Sequence, residues 1–218
     1  MMILLFGPPG VGKGTQADVL VQKYNLTKFS MGDNLREEVA LGTVLGDKLK
    51  EHMQYGNLVP DDIIIEIVRN FLLENQNCNI LFDGFPRTMN QALRLETLLA
   101  QLGLAVDIAL EMHLDEQEIV QRILNRRSCP KCGRIYNYLT NPPKSDGVCD
   151  DCHTKLTKRI DDTEEVIKKR LKIYEDETKS LLGYYKSLSV FNQINGAGSQ
   201  EEVSDKITKI IDDYLNKR

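Results

Sequence analysis

Two sets of residues in this chain have the types and spacing to do chemistry. Gly7-Pro8-Pro9-Gly10-Val11-Gly12-Lys13 fits the spacing Gly-x4-Gly-Lys. In such a loop, glycines let backbone N–H groups converge on phosphate oxygens, and the lysine neutralises the outer ones. Gly14 stands where Ser or Thr usually completes the motif, and a hydroxyl comes one residue later at Thr15, which leaves the direct magnesium ligand open. The second set is Cys129-x2-Cys132 and, sixteen residues on, Cys149-x2-Cys152. Each pair can form a thiolate knuckle, and four thiolates close a tetrahedral zinc site with no open position, hence structural rather than catalytic. Two local disulfides or four free thiols are the alternatives. His153 adjoins a ligand and reads as a surface neighbour. Cys78 stands alone before Ile80-Leu81-Phe82 and is expected to be a buried structural thiol.

These residues need elements to hold them. Residues 2–6 are apolar on both faces, as a parallel strand covered by helices would be. The glycine loop follows at once, and Ala17, Leu20, Val21 and Tyr24 then mark one face of a helix over 13–24. Asp61-Asp62 reads as the cap of a helix carrying Ile64, Ile67, Val68, Phe71 and Leu72, before a strand at 79–82. A helix through Leu95, Leu98, Leu99 and Leu102 ends at Gly103. A strand at 106–114 and a helix from Asp115 to about Arg126 follow. A long helix is expected from Asp161-Asp162 to near Leu188, weakened at Gly183, then a strand at 190–194 and a closing helix at 203–214. Strands alternating with helices predict an α/β fold around a five-stranded parallel sheet. Residues 30–59 and 128–158 break the alternation and read as inserted lobes.

The formal net charge of −4 supplies no basic field for nucleic acid, so an anionic ligand must be held by local clusters. Hydrophobic residues at 41% and charged residues at 28% describe an ordinary soluble protein. The apolar run 1–6 is too short for a signal segment or a membrane span, which makes the cytoplasm the expected compartment.

The string Gly7 to Gln16, Gly-Pro-Pro-Gly-Val-Gly-Lys-Gly-Thr-Gln, closely resembles the loop of adenylate kinases and related nucleoside monophosphate kinases, Gly14 included. The resemblance runs through nearly the whole chain. Ser30-Met31-Gly32-Asp33-Asn34-Leu35-Arg36 is similar to the segment that opens the family's monophosphate lobe, with Met31 where threonine is usual. Gly56 to Asp61 resembles the stretch lining the adenine pocket, and Asp83-Gly84-Phe85-Pro86-Arg87 with Gln91 resembles the internal signature. The resemblance implies that Met31, Arg36, Asn57, Val59, Gly84, Arg87 and Gln91 bind AMP, with Arg36 and Arg87 on its phosphate and Gln91 reading its base. Asp83 would orient water around magnesium. Taken singly, Arg36 and Arg87 read more readily as solvated surface charges.

On the ATP side the resemblance implies Gly10, Gly12, Lys13, Gly14 and Thr15 in the loop, Arg122 stacked on adenine, and Arg126, Arg159 and Arg170 around the transferring phosphoryl group. With Lys13, Arg36 and Arg87, these last three form the expected catalytic set. Arg134 and Tyr136 would contact ATP as the lid closes. The cysteine segment, with Asn141-Pro142-Pro143-Lys144, resembles the metal-bearing lid of some bacterial adenylate kinases. The implied organisation is a core of 1–29, 60–121 and 160–218, an AMP lobe at 30–59 and a zinc-stapled lid at 122–159. The implied reaction is phosphoryl transfer from MgATP to AMP by a monomer that binds neither nucleic acid nor membrane. The rivals are another acceptor such as UMP or CMP, a P-loop ATPase module, and a zinc ribbon binding nucleic acid through Lys131, Arg134, Lys144, Lys155, Lys158 and Arg159. Asp146, Asp150 and Asp151 dilute that last patch.

Overall fold

A computed structural model describes residues 1–217. Strands β1 (Met2–Phe6), β2 (Thr27–Ser30), β3 (Ile80–Asp83), β4 (Ile108–His113) and β7 (Phe191–Asn195) form a parallel sheet in the order β2-β3-β1-β4-β7. The short strands β5 (Arg126–Ser128) and β6 (Ile135–Asn137) pair antiparallel outside it. Central β1 is buried along its whole length. Its alternate residues feed two cores: Met2, Leu4 and Phe6 one, Ile3 and Leu5 the other. Covering both faces is what makes the strand read as uniformly apolar.

The second core packs β1 against α1 (Lys13–Tyr24) and α9 (Gln200–Leu215), and Ser199 with Glu202 closes a reciprocal cap at the start of α9. The first packs it against α2 (Met31–Ala40), α4 (Asp61–Glu74), α5 (Met89–Gln101) and α8 (Lys179–Lys186). Helix α3 (Val44–Gln54) pairs with α2, while α6 (Glu116–Leu124) packs on α7 (Glu164–Ile173). Since β1 is flanked by β3 and β4, the chain leaves its carboxyl end at the point where strand order reverses, the usual ligand crevice of such sheets.

Several expectations need correction. The strand Thr27–Ser30 completes the sheet inside a segment with no sequence assignment of its own, and Ser30, expected to open the lobe, closes that strand. The helix expected to reach Arg126 stops at Leu124, so Arg126 starts β5 instead. The long helix starts after the cap Thr163, two residues beyond Asp161-Asp162. It is interrupted not at Gly183 but by a π-helical turn at Tyr174–Thr178. Cys78 is exposed, in the turn where its N–H donates to the Asn75 carbonyl at 3.0 Å, because the apolar run begins only at Ile80. No helix among the described residues is long and apolar enough to cross a membrane.

Candidate active site

The glycine loop joins β1 to α1. At Gly7, φ is 145° and a Cβ would lie 2.5 Å from the Met112 carbonyl oxygen, so backbone passes backbone where no side chain fits. Gly12, φ 108°, caps α1 without a side chain, and no acidic residue stands in the first turn. The amino end of α1 therefore keeps its N–H groups and partial positive charge for a ligand. The Lys13 ammonium folds back on the loop, donating to the carbonyls of Gly7 at 2.7 Å and Pro8 at 3.0 Å. Its third proton is left for an anion.

Around this loop the fold gathers cations from elements distant in sequence. Arg126 is held by a two-pronged ion pair to Asp162, which is fully buried, and Arg170 donates to Asp161 at 2.8 Å. Arg36 pairs with Asp33 on the same turn of α2. Asp161-Asp162, expected to begin the long helix, lie just before it and serve as counter-ions that set two arginines in place. Three cations lack such a partner. The Arg87 guanidinium donates only to the Gly84 carbonyl, at 2.8 Å, and Arg159 makes no ion pair among the described residues. Burial, aided by neighbouring guanidiniums, pulls Arg87 and Arg159 each down to about 10. Lys13 falls to about 8, lowered first by burial and then by Arg87, Arg170 and Arg126, against the pull of Asp83. Half-buried cations depressed in this way gain stability from any anion placed among them. Asp83, at the end of β3, is the nearby buried carboxylate, and burial pushes its carboxyl up.

One cavity beside the loop is lined by Met31, Arg36, Asn57, Val59, Gly84, Arg87 and Gln91, together with Lys13 and Arg170. All the residues expected on the AMP side thus meet. Leu35, Met53, Leu58 and Ile64 add apolar walls; Leu35 and Leu58 lie inside the quoted segments and Ile64 in the expected α4 stripe, while nothing in the sequence analysis singled out Met53. Arg122 spans the other side, donating to the carbonyls of Val11 at 3.3 Å and Gly196 at 3.2 Å and to Glu118 at 2.6 Å. Its guanidinium is thereby fixed against the loop backbone.

The four paired cysteines converge. Their sulfurs lie within 4.8 Å of one another, at 3.2 Å for Cys129 and Cys152, 3.6 Å for Cys132 and Cys149, and 3.8 Å for Cys132 and Cys152. A tetrahedron of thiolates around zinc, with bonds of about 2.3 Å, has edges of about 3.8 Å, so the donor set fits a metal. Both knuckles turn through a left-handed residue just after the second cysteine, Gly133 at φ 74° and His153 at φ 55°. Tyr136 joins this cluster. It is 1% exposed, packed among the cysteines, with its hydroxyl 3.4 Å from the Cys149 sulfur. Arg134 lies over the Tyr136 ring and pairs with the exposed Asp151.

Residues 5–190 match the family model for adenylate kinase. The chain is 42% identical over 215 residues to an adenylate kinase of Methanothrix thermoacetophila, covering 98% of this chain and 100% of that one. It is 45% identical over 208 residues to one from Trichlorobacter lovleyi, covering 95% and 97%. The chain belongs to the adenylate kinase family. A relative from Thermococcus onnurineus, 38% identical over 218 residues, extends the match across all of this chain and 96% of its own. For an adenylate kinase, a phosphate loop beside a cation-lined cavity is the arrangement expected.

Proposed function

We infer that this enzyme transfers the terminal phosphoryl group of ATP reversibly to AMP, giving two ADP. The observation that carries the reading is a set of half-buried cations without ion-pair partners, Lys13, Arg87 and Arg159, of which Lys13 and Arg87 line one cavity together with the pre-paired Arg36 and Arg170. Two polyanions must be brought together against their own repulsion, and planar guanidiniums each hold two oxygens while doing so. In this reading Gly10, Gly12, Gly14 and Thr15 offer backbone N–H groups to ATP, with Lys13 on the outer phosphates. Arg36 and Arg87 hold the AMP phosphate, and Arg126, Arg159 and Arg170 stabilise charge on the moving group. Arg122 supports the adenine of ATP from the loop side. No covalent intermediate is needed, since alignment and charge stabilisation carry phosphoryl transfer.

Bound magnesium would supply further charge neutralisation on the phosphates, and the Asp83 carboxylate and Thr15 hydroxyl are the hard oxygen donors suited to it. The thiolate group suits zinc, with which Cys129, Cys132, Cys149 and Cys152 would stiffen the lid. The lobes at 30–59 and 122–159 would close over the nucleotides and exclude water, suppressing ATP hydrolysis. We place the enzyme in the cytoplasm as a monomer: a reducing compartment keeps the thiols available to metal, and both lobes need room to swing. A coupled assay with MgATP and AMP, GMP, CMP or UMP tests the reading. AMP is expected to be the preferred acceptor despite Met31, because a lost threonine hydroxyl is worth about 0.5–1.5 kcal/mol. Turnover with UMP or CMP equal to that with AMP would overturn the acceptor.

A further inference from the structure

Gln91 lines the cavity and is 2% exposed, so each polar atom of its side chain must be matched by something. Its carbonyl oxygen accepts from the Arg87 backbone N–H at 2.8 Å. Its amide nitrogen donates to Asp61 Oδ1 at 2.6 Å. The other oxygen of Asp61 accepts from Thr88 Oγ1 at 3.1 Å and Asn90 Nδ2 at 2.7 Å. Asp61, expected from sequence to cap α4, is thus spent on the segment that follows β3.

The two ends of the Gln91 amide are assigned by chemistry. A backbone N–H can only donate, and an ionised carboxylate can only accept. Turning the amide over would set two donors against each other at Arg87 and two acceptors against each other at Asp61. One lone pair and one N–H of Gln91 remain for a ligand, in an order that cannot reverse. Adenine offers an amino donor beside a ring-nitrogen acceptor, while guanine offers a carbonyl acceptor beside an N–H donor. The two purines demand opposite orders.

We propose that Asp61 is a specificity-determining positioning residue, which locks the Gln91 amide in the order that matches adenine and opposes guanine. The proposal rests on the reading that the acceptor's base lies against Gln91. Without Asp61 a single lock, the Arg87 N–H, opposes the flip, and the flipped amide can serve guanine. The hydrogen-bonded site then rejects the wrong base less strongly.

The test is kcat/KM for AMP and for GMP, with KM for ATP, in the wild type and in Asp61→Ala, Asp61→Asn and Gln91→Ala. Asp61→Ala is expected to lower the AMP-to-GMP ratio at least about tenfold, through KM of the monophosphate, and to leave KM for ATP unchanged. Asp61→Asn should keep the ratio within about threefold, because its carbonyl oxygen can still face Gln91 while exposed Asn90 turns to suit it. If Asp61→Ala does not fold, Asp61→Ser carries the same expectation, since a hydroxyl accepts either order. A ratio that falls in Gln91→Ala but not in the Asp61 variants overturns the inference alone. A ratio unchanged in Gln91→Ala overturns the reading of Gln91 and the inference with it.

Discussion

Binding of ATP at pH 9 is expected to draw nearly one proton from solution, and the proton goes to Lys13. In the ligand-free protein its ammonium sits at about 8, because burial and the guanidiniums of Arg87, Arg170 and Arg126 outweigh the carboxylate of Asp83. At pH 7 roughly a tenth of the molecules hold it neutral, and at pH 9 roughly nine-tenths do. A neutral amine could keep its bonds to the carbonyls of Gly7 and Pro8, but it would then turn a lone pair toward the phosphate. A bound polyanion returns the group toward its ordinary 10.5. The sign follows from that: binding raises this value, so affinity is full below about pH 8 and falls as pH rises through it. Between pH 7 and 9 the loss is about tenfold, or about 1.4 kcal/mol. Titration calorimetry at pH 9 in two buffers of different ionisation heat, without AMP, should give an uptake of about 0.9 proton, against about 0.1 at pH 7. The terminal phosphate is fully ionised at pH 9, its last pKa lying near about 6, so the nucleotide is not the source of the signal. Lys13→Met should abolish most of the uptake while still showing weak binding. Tight binding at pH 9 with no uptake, or equal uptake in Lys13→Met, would refute the reasoning.

Arg87→Ala should lower turnover at least about a hundredfold while the melting temperature stays close to wild type, since its guanidinium makes no ion pair among the described residues; near-normal steady-state rates would remove it from the site. Asp162→Ala leaves Arg126 buried without its partner and should cost about 3–5 kcal/mol, a fall in melting temperature of about 10 °C by calorimetry. Metal analysis should find about one zinc per chain. Stripping it with a chelator should lower the melting temperature more than it lowers activity at moderate temperature, because the thiolates organise the lid locally and none of them is assigned to the phosphates. Unchanged melting with four free thiols would speak against a structural metal. His153→Gly should stabilise the second knuckle by about 0.5–1 kcal/mol in denaturant titration, since its φ of 55° suits glycine better than any branched residue.

What could be read directly from the chain is what is local along it. The phosphate loop is seven consecutive residues whose glycines answer to backbone geometry alone, and the loop stands where expected, between a doubly buried strand and a helix. The spacing of the cysteines likewise carried its own geometry, since two residues between thiols make a knuckle wherever the segment lies. The doubled aspartates stand at or near helix starts, as expected, but their side chains do more than the local pattern shows. Asp61-Asp62 and Asp161-Asp162 each precede a helical pattern, where a carboxylate cap is the locally sensible use. Only packing showed that Asp61 meets Gln91 thirty residues on, and that Asp162 meets Arg126 thirty-six residues back. That the Tyr136 ring packs among the cysteines was likewise a matter of tertiary packing, since the lid has few apolar residues. Which cations face the ligand uncompensated was decided by tertiary structure alone. Charge compensation and desolvation depend on what lies within a few ångströms in space, and residue order does not record that.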